Sequence, residues 1–127
     1  MTKTERLLRS VIGLEGRDTG LFTRAVDQMA ELLFDRKLPA GEVRLLRDIC
    51  LPLAEERRIK PASVEKNLAR MTRLCWEQGD RRQLDRIIGK SLDQCPTPWQ
   101  MLIYFACAAR QGRPFYHMIG AHRELMF

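Results

Sequence analysis

Lys66, Arg70 and Arg73 recur at spacings of four and three between Ile59 and Asp80, so any helix formed there carries three cations on one face. Ser63, Glu65, Asn67 and Ala69 lie among them, with Ser63 and Asn67 on the edge towards the helix start. These side chains suit hydrogen-bonding recognition rather than bond making: Lys or Arg pairs with guanine, Asn with adenine, and Glu accepts from the cytosine amine. Arg57, Arg58 and Lys60 come before this segment and Arg81, Arg82 and Arg86 after it. With Arg73 they are suited to phosphate contacts, which add affinity without reading sequence. From Arg57 to Lys90 ten basic residues face four acidic ones, a balance of +6 that equals the net charge of the whole chain. A solvated charged face on a core helix would account for Lys66 and Arg73 with no ligand. Glu65 could equally pair with Lys66 or Arg58. The coincidence of a turn, a buried stripe and the charge excess favours contact with a nucleic-acid groove.

Such a reading helix needs a partner helix and a tight turn before it. Ala54, Ile59 and Val64 stand five residues apart, the spacing of the small, turn and anchor residues of a helix-turn-helix. The position before Ile59, where that pattern favours Gly, is Arg58. Val64, Leu68, Met71 and Cys75 form the stripe that anchors the helix predicted over 62–78, with Leu74 beside it and Gly79 as its left-handed stop. Trp76 has no aromatic companion and reads as packing rather than as a stacking platform.

The rest of the chain is helical in period, with Gly and Pro falling between the periodic segments. The pattern predicts an all-α domain: a first helix over 4–12, a second over 20–34 capped by Thr19, and a third from about Ala40 burying Val43, Leu46, Ile49 and Cys50. Pro52 ends that helix or opens a short one to Arg57. A short helix over 82–88 stops at Gly89, and Thr97 with Pro98 caps a long apolar helix through Arg110. Residues 1–112 make the domain, and 113–127 a tail able to form an extra helical turn or two, in which Phe115, Met118, Ile119 and Leu125 face together as a dimer contact or a cover over the core.

Several functions are disfavoured. At 127 residues one core is expected. No apolar run approaches the roughly 18 residues of a membrane span, and MTKTERLLRS lacks the h-region and cleavage site of a signal peptide, so a cytoplasmic protein without a membrane partner is expected. Cys50, Cys75, Cys95 and Cys107 contain no CxxC pair, and His117 and His122 are the only imidazoles; free thiols and no metal site are expected. No nucleophile–base arrangement or phosphate loop can be placed, which argues against an enzyme and calls for no cofactor.

ASVEKNLARMTRLCWEQGD resembles the recognition helix of the C-terminal effector domain of the stage zero sporulation regulator A family, in its Ala-Ser start, its Val-Glu-basic triplet, Leu68 and the exit from Trp76 to Asp80. TGLFTRAVDQMAELLFD, LLRDICLPLAEERRIK and IIGKSLDQCPTPWQMLIYFACAAR are similar to further segments of that domain, so the likeness runs from about Glu5 to Gln111. It implies a six-helix DNA-binding domain that occupies a short box, often in tandem, and regulates transcription. The family's contact positions fall on Ser63, Glu65, Lys66, Ala69 and Arg70. Ser63 and Ala69 stand where the family has arginines, and Arg70 where it has histidine. No strand-Asp pattern of a receiver domain occurs, so constitutive binding, control by a partner, or origin as half of a longer protein is expected.

The leading expectation is a sequence-specific transcription regulator whose partners are double-stranded DNA, a second copy on DNA, and RNA polymerase or a full-length regulator. The alternative is an interaction module of the same fold that pairs with or antagonises a full-length regulator.

Overall fold

The computed structural model describes residues 1–13 and 19–121. They are helical throughout their ordered elements, with no strand among them. The helices are α1 (Lys3–Ile12), α2 (Gly20–Ala30), α3 (Leu51–Arg57), α4 (Pro61–Gln78), α5 (Arg81–Ile88), α6 (Pro98–Ala106) and α7 (Phe115–Ala121). The expected six helices plus tail are therefore seven helices. Met118 is buried, and Phe115, Tyr116 and Ile119 pack against the common core, so the segment after Gly112 covers the body of the domain. Leu125 and Phe127 lie outside the described residues. No described helix is long and apolar enough to cross a membrane.

Capping chemistry explains most boundaries. Thr2 accepts from the Glu5 amide at the start of α1. The Asp80 carboxylate accepts from the Arg82 and Gln83 amides and so opens α5. Thr97 and Gln100 make a reciprocal capping box at α6, with Pro98 in the first turn. Thr19 is different from expectation: its backbone is helical and its side chain caps nothing, while Thr23 Oγ1 donates to the Thr19 and Gly20 carbonyls.

Three helices contain wide π turns that hydropathy does not announce. Glu31–Asp35 continues α2, Leu45–Cys50 leads into α3, and Cys107–Gln111 continues α6. The expected third helix from Ala40 is a single 3-10 turn, Ala40–Glu42, followed by a break and a helical run that begins at Leu45. Pro52 sits inside that run. It has no N–H to give the Asp48 carbonyl, and Gln28 Nε2 donates there instead, at 3.4 Å. The π turn also rotates Leu46 outward, leaving it 52% exposed although a straight helix would have buried it with Ile49 and Cys50.

At the other end of α3, Arg58 adopts φ 56° and ψ 45°, the left-handed region. The Ile59 amide donates to the Ala54 carbonyl at 3.0 Å and the Arg58 amide to Glu55 at 3.3 Å, which is a Schellman turn. The five-residue step from Ala54 to Ile59 is that 6→1 bond. Ile59 itself stays 42% exposed, while Ala54 and Val64 are buried. Gly79, expected as a left-handed stop, is extended at φ −76° and ψ 166°. It is required for space: a Cβ there would lie 2.3 Å from the Cys75 carbonyl oxygen and 2.6 Å from Val11 Cγ1. The same junction is tied down by the Asp80 amide, which donates to the Val11 carbonyl at 2.7 Å.

Opposite effects are expected at the two ends of α4. Arg58→Gly relieves a left-handed non-glycine residue and should stabilise the protein by about 1 kcal/mol net of glycine's entropy, whereas Gly79→Ala should destabilise it by about 1–3 kcal/mol through overpacking. Shifts of the urea midpoint at constant slope check both. Cys50, Cys75 and Cys107 are buried and Cys95 is exposed. Burial pushes the Cys107 thiol up to about 12, and burial followed by the charge of Glu65 pushes Cys50 up to about 11. Disulfide-reagent titration of the native protein should count one thiol. The Cys95 thiol is itself raised, by partial burial and then Glu77, so its modification rate should keep climbing past the pH of about 8.5 where a free cysteine is half ionised.

Candidate nucleic-acid interface

Helix α4 packs against α1, α2, α3, α5 and α6, and these contacts decide which way its side chains point. Val64, Leu68 and Cys75 are wholly buried and Met71 is 2% exposed, so the expected apolar stripe is the inner face. Thr72 belongs to it as well; its hydroxyl is satisfied by donation to the Leu68 carbonyl at 2.8 Å. With this stripe inward, a rotation of 100° per residue places Lys66, Arg70 and Arg73 on the far side, and all three are exposed.

Ser63 and Glu65 are also exposed and Ala69 is half-buried. Together with Ala62 and Lys66 these residues line a shallow depression of about 320 Å³ on the outer surface. Three of the lining side chains, Ala62, Ser63 and Ala69, are small. Ala62 belongs to this surface and was missed in the sequence because a methyl group carries no pattern of its own.

Asn67 departs from its expected position on the reading edge. It is half-buried, and its Oδ1 is enclosed without a hydrogen-bond partner among the described residues. The reason is angular: Asn67 lies one residue before Leu68 and three after Val64, on the shoulder of the buried stripe rather than on the outer row.

The cations around α4 differ in how they are held. Arg57, Arg58 and Lys60 are exposed at the turn before it, and Arg82 and Arg86 on α5 after it. Among the described residues the ion pairs within 4.0 Å are Arg24 with Glu56, Arg47 with Asp48, and Arg110 with Asp35. Lys66, Arg70, Arg73 and the flanking arginines are in none of them, and Glu65 pairs with neither Lys66 nor Arg58. Arg81 is the exception to free presentation. Its guanidinium stacks 3.8 Å from the centre of the Trp76 ring and donates to the Trp76 carbonyl at 2.6 Å. Trp76 is half-buried against the core, the packing role expected of it, and it also pins this arginine across the α4–α5 corner.

Chemically, the surface is a row of cations outside any ion pair among the described residues, beside a shallow depression lined by small side chains, one lysine and one carboxylate. Its cations can pair with acceptor groups and with phosphates. No group of three or more His, Cys, Asp and Glu side chains among the described residues could hold a metal ion. No protein-family model, curated protein or solved structure matches this chain.

Proposed function

We propose that this protein is a sequence-specific regulator that binds double-stranded DNA by laying α4 in the major groove, with α3 and the Arg58 turn as the supporting half of a helix-turn-helix. The observation that carries this reading is the outer face of α4. Lys66 and Arg70 stand exposed and unpaired opposite a stripe that is buried almost completely, in the part of the chain that holds its whole net charge.

In this reading Lys66 and Arg70 donate to guanine O6 and N7, and Glu65 accepts from a cytosine amine. Ser63 donates at the start of the helix. The methyl groups of Ala62 and Ala69 line the depression and meet the C5-methyl of a thymine. Arg57, Arg58 and Lys60 hold phosphates on one side and Arg73, Arg82 and Arg86 on the other, with Arg81 adding charge from its place on Trp76. The stage zero sporulation regulator A likeness supports the same helix as reader. It also suggests tandem occupancy by two copies and contact with RNA polymerase, while Ser63, Ala69 and Arg70 point to a box of the protein's own.

A different reading has one observation in its favour. Leu46 and Leu51, 52% and 45% exposed, are brought one above the other by the π turn whose Leu51 amide bonds the Leu46 carbonyl. Such a pair suits a protein partner, as an interaction module would need.

Binding of duplex DNA should weaken steeply with salt, each neutralised phosphate contributing about 0.9 to the log–log slope. Lys66→Ala and Arg70→Ala should each weaken binding to a selected box by about 1–3 kcal/mol and relax base preference, while Arg82→Ala weakens selected and random duplexes alike. A slope near zero, or equal loss on both duplexes for all three variants, would remove α4 as the reader and leave the interaction module.

A further inference from the structure

We propose that the cleft between α6 and α7 binds a small neutral aromatic molecule of one or two rings that carries a single hydroxyl group. The lining of the cleft shares no residue with the depression on α4. Its inner part, about 220 Å³, is walled by Ala40, Trp99, Ile103, Phe115 and Ile119. A second, more polar hollow of about 340 Å³ opens beside it towards Asp93, Gln94 and Cys95. Gln100, Tyr104 and Tyr116 line both, so the two form one site, apolar inside and polar at the mouth.

The size and the walls select the ligand. An apolar cavity of roughly 150 Å³ holds benzene, so the inner part fits one ring or two fused rings. The walls are already an aromatic cluster. Tyr104 lies 5.3 Å from Phe115 and 6.0 Å from Tyr116, and Phe115 stacks on Tyr116 at 4.9 Å and 9°. A further ring adds edge and face contacts of the same kind. Among the described residues neither lining includes a cation, Lys90 being engaged over the Tyr116 ring, and Asp93 stands at the mouth, so a neutral ligand suits the inner part better than an anion.

The hydroxyl requirement comes from the polar groups left over. Trp99 Nε1 donates to the Val43 carbonyl at 3.0 Å, which fixes its ring and uses its only donor. Gln100 Oε1 accepts from the Thr97 amide, leaving the Nε2 hydrogens. Tyr104 is 3% exposed, and the hydrogen-bond contact of its hydroxyl is with that of Tyr116 at 3.4 Å, beyond the usual range of about 2.5–3.0 Å for two hydroxyl groups. A ligand hydroxyl set between the two phenols makes two bonds of normal length in place of one long one. Lys90 Nζ, 4.1 Å from the centre of the Tyr116 ring, steadies that ring.

The test is titration of the full chain with 2-naphthol and, separately, with naphthalene, followed by amide NMR shifts. We expect saturable shifts confined to α6, α7 and the Ala40 turn, and at least tenfold tighter binding of 2-naphthol than of naphthalene. Tyr104→Phe should remove that preference while leaving naphthalene affinity within twofold. Tyr116→Phe serves the same purpose if Tyr104→Phe loses helix content. Ile119→Trp should fill the inner part and abolish both. Absence of saturable shifts, equal affinity for the two probes, or undiminished binding by Ile119→Trp would overturn the proposal. So would binding that emerges only in Leu125→Ser/Phe127→Ser, since the chain's own C-terminal residues would then be the occupant.

Discussion

Burial of Val64, Leu68, Met71 and Cys75 is the constraint on which the rest of the structure depends. Five other helices pack against α4, and a fully buried side chain of this size contributes about 1.5–3 kcal/mol, so α4 cannot turn about its axis without dismantling the core. What the outer face presents is therefore set from inside. Lys66, Arg70 and Arg73 point to solvent because the residues between them cannot. A rigid scaffold of this kind limits the entropy lost when a surface meets its ligand.

The two junctions of α4 show how that helix is aimed. At its start, a left-handed arginine occupies the position that glycine would fill with less strain. Arg58 keeps a cation at the turn, next to Arg57 and Lys60, at a cost in backbone strain. At its end, Gly79 and the bond from Asp80 to Val11 fasten the exit to α1. Trp76 and Arg81 close the outer side of the same corner.

The parts of this arrangement legible in the sequence are those governed by short-range chemistry. The cap at Thr97 follows from one hydroxyl and a few amides, and the two stripes of α4 follow from helical period alone. The misreadings share a different cause. Leu46 belongs inward only if the helix is straight, and Asn67 belongs on the edge of the outer face only if a shoulder position is counted with the face beside it. Thr19 has a capping type in a backbone that makes no cap. Arg81 looked like the other arginines, and only the fold brings Trp76 beneath it. The amphipathic face of 115–121 is legible in the tail, but what it packs against, Tyr104 among others, is set by the fold.

The wide turns have a consequence for how this chain relates to others. Each π turn holds about one more residue than the α-helical turn it replaces, equivalent to a single-residue insertion absorbed within a helix. Leu45–Cys50 lies ahead of α3 and α4, and Cys107–Gln111 ahead of α7. An ancestor lacking either would have the same helices in the same order, with every later position numbered one lower and the face before the insertion rotated by about 100°. Gap-free comparison across Leu45 would pair an inward residue of one protein with a lateral residue of the other, and the two would look less alike than their architectures are.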